Sequence, residues 1–200
     1  MKPLLTLVLA TTAALTLAGQ APAATFTYIT SLDGASEAPP NASLGTGVSL
    51  LVLDKLAHSL RVTFEFADLM AGTTAVHIHA PTAVAGTGTA GVATQVPTFL
   101  DTPLGVTSGT YDQTFDISDA SFYNPSFVTA QGGVAGAERI LLRALRSGTA
   151  YLNIHTEAFP GGEIRGFYDQ GVVPLPAGLG LMITGVLALA GFGLRRRPAA

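Results

Sequence analysis

The chain has 200 residues, 48% of them hydrophobic, and contains no cysteine. The absence of cysteine excludes thiolate catalysis, thiolate metal sites and disulfides, so any transition metal would need imidazole or carboxylate ligands. Once Lys2 and the three terminal arginines are set aside with the two ends of the chain, six basic residues face 13 acidic ones, a balance of −7. That balance argues against nucleic acid as a partner.

The first 24 residues have the pattern of a secretory signal peptide. Lys2 stands before an apolar run over residues 4–18, and Ala21 and Ala23 form an A-x-A cleavage pattern. The run is short for a membrane span. We therefore expect signal peptidase to remove residues 1–24 and the rest of the chain to be exported.

Residues 25–170 are predicted to form one mostly β domain, an antiparallel sandwich or barrel. Val62, Phe64 and Phe66 alternate with polar residues, the period of two that is typical of a half-buried strand. Short β-branched and aromatic segments separated by Gly, Pro, Asn and Asp indicate seven strands in all. They are Thr25–Leu32, Gly47–Leu53, Ser59–Phe66, Ala75–His79, Gly109–Ile117, Ala150–Thr156 and Glu163–Tyr168.

Gly136–Gly148 is predicted to form a helix that crosses between strands. Its apolar residues, Ile140, Leu141, Ala144 and Leu145, recur at helical spacing and leave the arginines largely on the other side. A glycine at the end serves as the stop. The stretch from 86 to 105 shows little periodicity and is predicted to be a loop.

Residues 171–200 read as a membrane-sorting tail. Gly178–Leu194 carries no charge and reaches roughly 25 Å as a helix, the lower limit for a membrane span. The positive-inside rule keeps the arginine cluster that follows in the cytoplasm. This cluster consists of Arg195, Arg196 and Arg197, and the helix is preceded by Val173, Pro174, Leu175, Pro176 and Ala177.

This tail resembles the PEP-CTERM class of bacterial sorting signals in its VPLPA form. The resemblance implies that the inner membrane holds the chain transiently and that an exosortase-type enzyme processes it. The protein would then reach the cell surface or the extracellular matrix. A permanent C-terminal membrane anchor is the alternative.

Three elements in the middle of the chain carry a second resemblance. They are the E-x-P-P element with Glu37, the H-I-H element at 77–79 and the late N-I-H-T…P-G-G-E-I-R-G element. Their order and spacing resemble the CHRD, or chordin-type, domain over roughly Thr25–Tyr168. The resemblance implies an extracellular β-sandwich with no established general catalytic activity. The chain also lacks the common hydrolase, zinc-protease and P-loop motifs, so we expect no enzyme activity.

Three histidines of these elements are candidate metal ligands. His77 and His79 point to one face of their strand, and His155 shares a face with Glu157 on another. If the two strands pair, three imidazoles and a carboxylate come together, a donor set suited to Zn or Cu. Alternatively, these histidines are structural and hydrogen-bond to Asn153, Glu157 or Arg165 across the sheet.

The sequence thus favours an exported surface or matrix protein with a non-catalytic structural or binding role and an unidentified matrix partner. The alternative is a protein that binds Cu or Zn through His77, His79, His155 and Glu157, with dismutase-like redox activity as a further expectation. Glu37 could cap a loop or donate to a cation.

Overall fold

A computed structural model describes residues 25–170, so the predicted signal peptide and sorting tail lie outside the described residues. These residues contain eight strands, two α-helices and a single 3-10 turn at Ala120–Phe122. The strands are β1 (Thr25–Asp33), β2 (Thr46–Asp54), β3 (Ser59–Ala67), β4 (Thr73–His79), β5 (Gly109–Asp116), β6 (Tyr151–Thr156), β7 (Ile164–Phe167) and β8 (Asp169–Gln170). The helices are α1 (Pro125–Ala130) and α2 (Val134–Arg146).

All eight strands belong to one antiparallel sheet that is curled into a half barrel. Its strand order is β4-β6-β7-β1-β2-β3-β5, and β8 pairs with β1. The mostly β, antiparallel class predicted from the sequence is confirmed. The last predicted strand, Glu163–Tyr168, is present as β7, and β8 follows it after Tyr168, whose side chain is fully buried.

The alternating segments became strands because every second side chain enters the core. In β3, Leu60, Val62, Phe64 and Phe66 are all at most 4% exposed, whereas Arg61 between them is exposed. β3 follows β2 through a tight hairpin in which the Asp54 carboxylate accepts from two backbone N–H groups of the turn. The period-two reading of the sequence is confirmed here.

The predicted helix is present as α2, displaced by two residues toward the N-terminus. Its buried residues include Leu141, Leu142 and Leu145, which close the core against the sheet, and Arg143 and Arg146 stand in its last turn. The sequence reading missed α1, which begins at an Asn124 cap whose side chain accepts from the Ser126 N–H. Within residues 25–170 no helix is long and apolar enough to cross a membrane.

The pairing of β4 with β6 positions the candidate ligands. The register places His79 opposite Tyr151, His77 opposite Asn153 and Ala75 opposite His155. Side chains at alternate positions of paired strands share a face, so the three histidines lie together on one side of this part of the sheet.

Candidate metal centre

The three predicted histidines converge. One ring nitrogen of each of His77, His79 and His155 lies within 4.8 Å of the corresponding nitrogens of the other two. The ring centroids of His77 and His155 are 5.2 Å apart, and that of His79 is 5.8 Å from each. For comparison, nitrogens bound to one tetrahedral Zn²⁺ at about 2.0–2.1 Å are about 3.4 Å apart.

Each imidazole is oriented by a backbone carbonyl on its other nitrogen. His77 Nε2 bonds to the Pro97 carbonyl oxygen at 2.6 Å, and His79 Nδ1 and His155 Nδ1 bond to those of Ala90 and Pro160 at 2.9 Å each. A carbonyl oxygen only accepts, so the bonded nitrogen carries the proton in all three rings. The opposite nitrogen of each neutral ring therefore presents a lone pair.

Those lone-pair nitrogens, His77 Nδ1, His79 Nε2 and His155 Nε2, are buried and have no hydrogen-bond partner. A buried polar atom without a partner costs about 1–3 kcal/mol. With one ring nitrogen of each histidine within 4.8 Å of the others, the cluster offers a donor set suited to a cation. Metal-bound histidines characteristically donate their second N–H to a carbonyl or carboxylate, which is the arrangement seen at all three rings.

Burial keeps the three rings neutral. Burial lowers the pKa of His79 to about 4. The hydrogen bond to Ala90 acts in the opposite direction, whereas the positive charges of His155, His77 and Arg165 lower the pKa further. Burial also lowers the pKa of His77 and of His155, in each case against a hydrogen bond to a backbone carbonyl. At neutral pH the lone pairs are accordingly free to bind a metal ion.

A stack of side chains supports His79 from one side. The Tyr151 ring lies 4.9 Å from the His79 ring and nearly parallel to it, and the Arg165 guanidinium lies 4.9 Å from the Tyr151 ring centroid. The Tyr151 hydroxyl accepts a hydrogen bond from the Ala90 N–H, and the carbonyl of the same alanine accepts the hydrogen bond of His79. The packing therefore holds both the ring and its hydrogen-bond acceptor in place.

Glu157, predicted as a fourth ligand, is not brought to the imidazoles. β6 ends at Thr156, so Glu157 lies outside the strand and the alternation that would place it on the same face as His155 does not apply to it. Its side chain is exposed, and it is not among the residues that converge. The predicted structural pairing of the histidines with Asn153, Glu157 or Arg165 is not observed either. Loop carbonyls occupy those hydrogen-bonding positions instead.

Sequence reasoning missed the groups that orient the ligands. Pro97 and Ala90 lie in the loop between β4 and β5, and Pro160 lies in the turn after β6. They act through backbone carbonyls, which every residue has, so no side-chain pattern marks them. His58 lies apart from this cluster, with its Nδ1 2.9 Å from a carboxylate oxygen of Glu138 on α2.

With the fold and the site described, comparison with known proteins adds one finding. The CHRD domain model matches residues 28–168, most of the chain and nearly all of the described residues. The chain belongs to the CHRD domain family. No curated protein and no solved structure matches the chain. The three histidines of the candidate centre all lie within the CHRD match.

Proposed function

We propose that this CHRD domain is a metal-binding module that holds one Zn²⁺ or copper ion through His77, His79 and His155. The observation that carries the proposal is the convergence of three buried, unpartnered imidazole nitrogens, each on a ring whose other nitrogen is fixed by a backbone carbonyl. A purely structural cluster would leave three lone pairs facing one another without compensation.

The donor set selects the class of ion. Imidazole suits Zn and Cu, whereas Ca²⁺ and Mg²⁺ require oxygen ligands. The group of three contains no carboxylate and the chain contains no cysteine. Three protein ligands leave a coordination position for a water molecule or another small ligand.

The test is the metal content of the full chain, purified in detergent without chelator. We expect about one Zn or Cu per chain, by analogy with other three-histidine sites. The His77→Ala/His79→Ala variant should retain its far-ultraviolet circular dichroism and lose the metal. Glu157→Ala, which removes the exposed carboxylate next to β6, should keep it. A wild-type chain that takes up neither ion even after loading would contradict the proposal.

The setting that we propose for this module is an exported protein at the cell surface or in the extracellular matrix, in a non-catalytic structural or binding role. Membership of the CHRD family supports a binding role, and the sequence of the two ends supports export and sorting by an exosortase-type system. Mass spectrometry of the secreted chain would test this setting through cleavage near residues 21–23 and 173–177.

The alternative to this non-catalytic role is an enzymatic one, dismutase-like redox activity at a bound copper ion. It is favoured only by the suitability of imidazole ligands for copper. Superoxide consumption by the copper-loaded chain, compared with the double histidine variant, distinguishes it from the non-catalytic role.

A further inference from the structure

The described residues contain two more buried side-chain atoms without a hydrogen-bond partner, one in the loop between β1 and β2 and the other on β6, the strand that carries His155. Besides the three imidazole nitrogens, the unpartnered side-chain atoms are Glu37 Oε1 and Asn153 Oδ1. Asn153 stands opposite His77 in the β4–β6 pair and two residues before His155. Glu37 is 7% exposed and Asn153 is 3% exposed.

Gly162 brings these two oxygen-bearing groups side by side. A Cβ at this position would collide with both the Asn153 amide and Glu37 Oε1, so both groups occupy the space that the missing side chain leaves. The residue also has a φ of +129°, which favours glycine. A carboxylate oxygen and an amide oxygen both accept hydrogen bonds, but a single proton on the carboxyl group gives each of them a partner.

The charges around Glu37 explain why it would hold a proton. Arg165 is the charged group that faces it, with Nε 3.8 Å from Glu37 Oε2, but Arg165 donates to the Ser36 and Gly88 carbonyls rather than directly to the carboxylate. The neighbouring acid, Asp33, accepts from the Ser36 N–H. Burial raises the pKa of Glu37 to about 7, against Arg165 and the Ala38 N–H, which lower it.

A divalent ion bound to three neutral imidazoles would favour the ionised form of Glu37 over the protonated one. The ion brings two positive charges into a buried region that already contains the Arg165 guanidinium and no carboxylate ligand. The other buried carboxylate nearby, Glu163, is already bonded to three donors. Charge compensation therefore falls to Glu37.

We propose that Glu37 is a charge-compensating residue of the metal centre: its carboxyl group shares a proton with Asn153 while the centre is metal-free and loses that proton to solvent when a divalent ion binds. The step is balanced, because one ion enters, one proton leaves and no bond to the ion involves Glu37. This role rests on the proposed metal binding. It makes Glu37 a determinant of the affinity for divalent ions.

Isothermal titration of Zn²⁺ into the full chain in detergent, in two buffers of different ionisation enthalpy, measures the protons released per ion. The histidines are already neutral at pH 7, so they contribute little. A zinc-bound water can also lose a proton, so the contribution of Glu37 is the difference between the wild type and Glu37→Gln. We expect the variant to release about half a proton less than the wild type at pH 7 and the same number at pH 8.5, where Glu37 is already ionised, and to bind Zn²⁺ about 10–100-fold more weakly.

Glu157→Gln is the matched control, because it removes an exposed acid from the same region; it should leave both quantities unchanged. If Glu37→Gln does not fold, Asn153→Ala replaces it: loss of the amide acceptor favours the ionised carboxylate and should reduce the protons released at pH 7. Unchanged proton release in these variants would overturn the role of Glu37 alone. No Zn²⁺ binding by the wild-type chain would overturn both this role and the metal site.

Discussion

Two buried polar regions of this sheet differ in how completely their hydrogen bonds are made. Glu163, which is fully buried, accepts from the Ser43 hydroxyl at 2.6 Å and from the Met70 N–H and the Thr156 hydroxyl at 2.7 Å each. The histidine cluster and Glu37, in contrast, leave four acceptor atoms without a partner. The fold thus contains one buried polar group whose hydrogen bonds are complete and another whose lone pairs have no partner.

Under the proposed metal binding, this difference separates the polar residues that hold the fold from those that bind a ligand. Glu163 ties the loop before β2, the turn after β3 and the end of β6 to one point. The imidazoles are held just as firmly through one nitrogen, but the other nitrogen of each is left for a ligand. Burial alone does not separate the two roles, whereas hydrogen-bond satisfaction does.

Glu163→Ala should have the largest effect on stability. It leaves two hydroxyls and one backbone N–H without their acceptor, so we expect the free energy of unfolding to fall by about 3–5 kcal/mol. Urea denaturation followed by circular dichroism measures the change. A loss below about 1 kcal/mol would mean that this network is not what joins the three segments.

Acidification should destabilise the metal-free chain through the other region. The pKa of His79 is lowered to about 4 in the folded state, so between pH 6.5 and 4 the unfolded chain binds more protons than the folded one. Stability should fall as the pH decreases across this window, by about 3 kcal/mol from His79. Glu37, whose pKa is raised to about 7, acts with the opposite sign between about pH 4.5 and 7 and by a similar amount. The net decline therefore comes from His77 and His155, whose pKa values burial also lowers, and the contribution of His79 is measured as the difference between the wild type and a His79 variant.

Denaturation of the metal-free wild type and of His79→Leu at several pH values checks this expectation. The variant should show a shallower decline in stability below pH 6.5. If stability depends on pH equally in both proteins, a group other than His79 takes up the protons.

Zn²⁺ should stabilise the histidine cluster and have no effect once its ligands are removed. At a free concentration 100 times the dissociation constant, we expect a gain of about 2.7 kcal/mol in the free energy of unfolding. The gain should vanish on addition of EDTA and in His77→Ala/His79→Ala. Stabilisation that persists in the double variant would show that Zn²⁺ binds at another place.

Arg61→Ala should have the smallest effect. Arg61 forms a two-pronged hydrogen bond with Asp112 across β3 and β5, but both side chains are exposed to solvent. We expect an unchanged urea midpoint at moderate salt. A marked shift would show that satisfaction of exposed polar groups also determines the stability of this sheet.

The sequence predicts the parts of the fold and site that depend on side-chain periodicity. Alternation in β3 and the H-x-H element of β4 gave the strands and put the two histidines on one face, and the register then brought His155 to them. It does not predict α1, whose six residues are too short for a periodic pattern. Nor does it predict the carbonyls of Ala90 and Pro97, because the loop conformation that presents them has no side-chain signature.

X-ray absorption at the metal edge of the loaded full chain tests the central claim most directly. The account predicts a first shell containing three imidazole nitrogens at about 2.0–2.1 Å, with a count that falls in His155→Ala and is unchanged in Glu157→Ala. A shell made only of oxygen ligands, or a spectrum unchanged in His155→Ala, would contradict it.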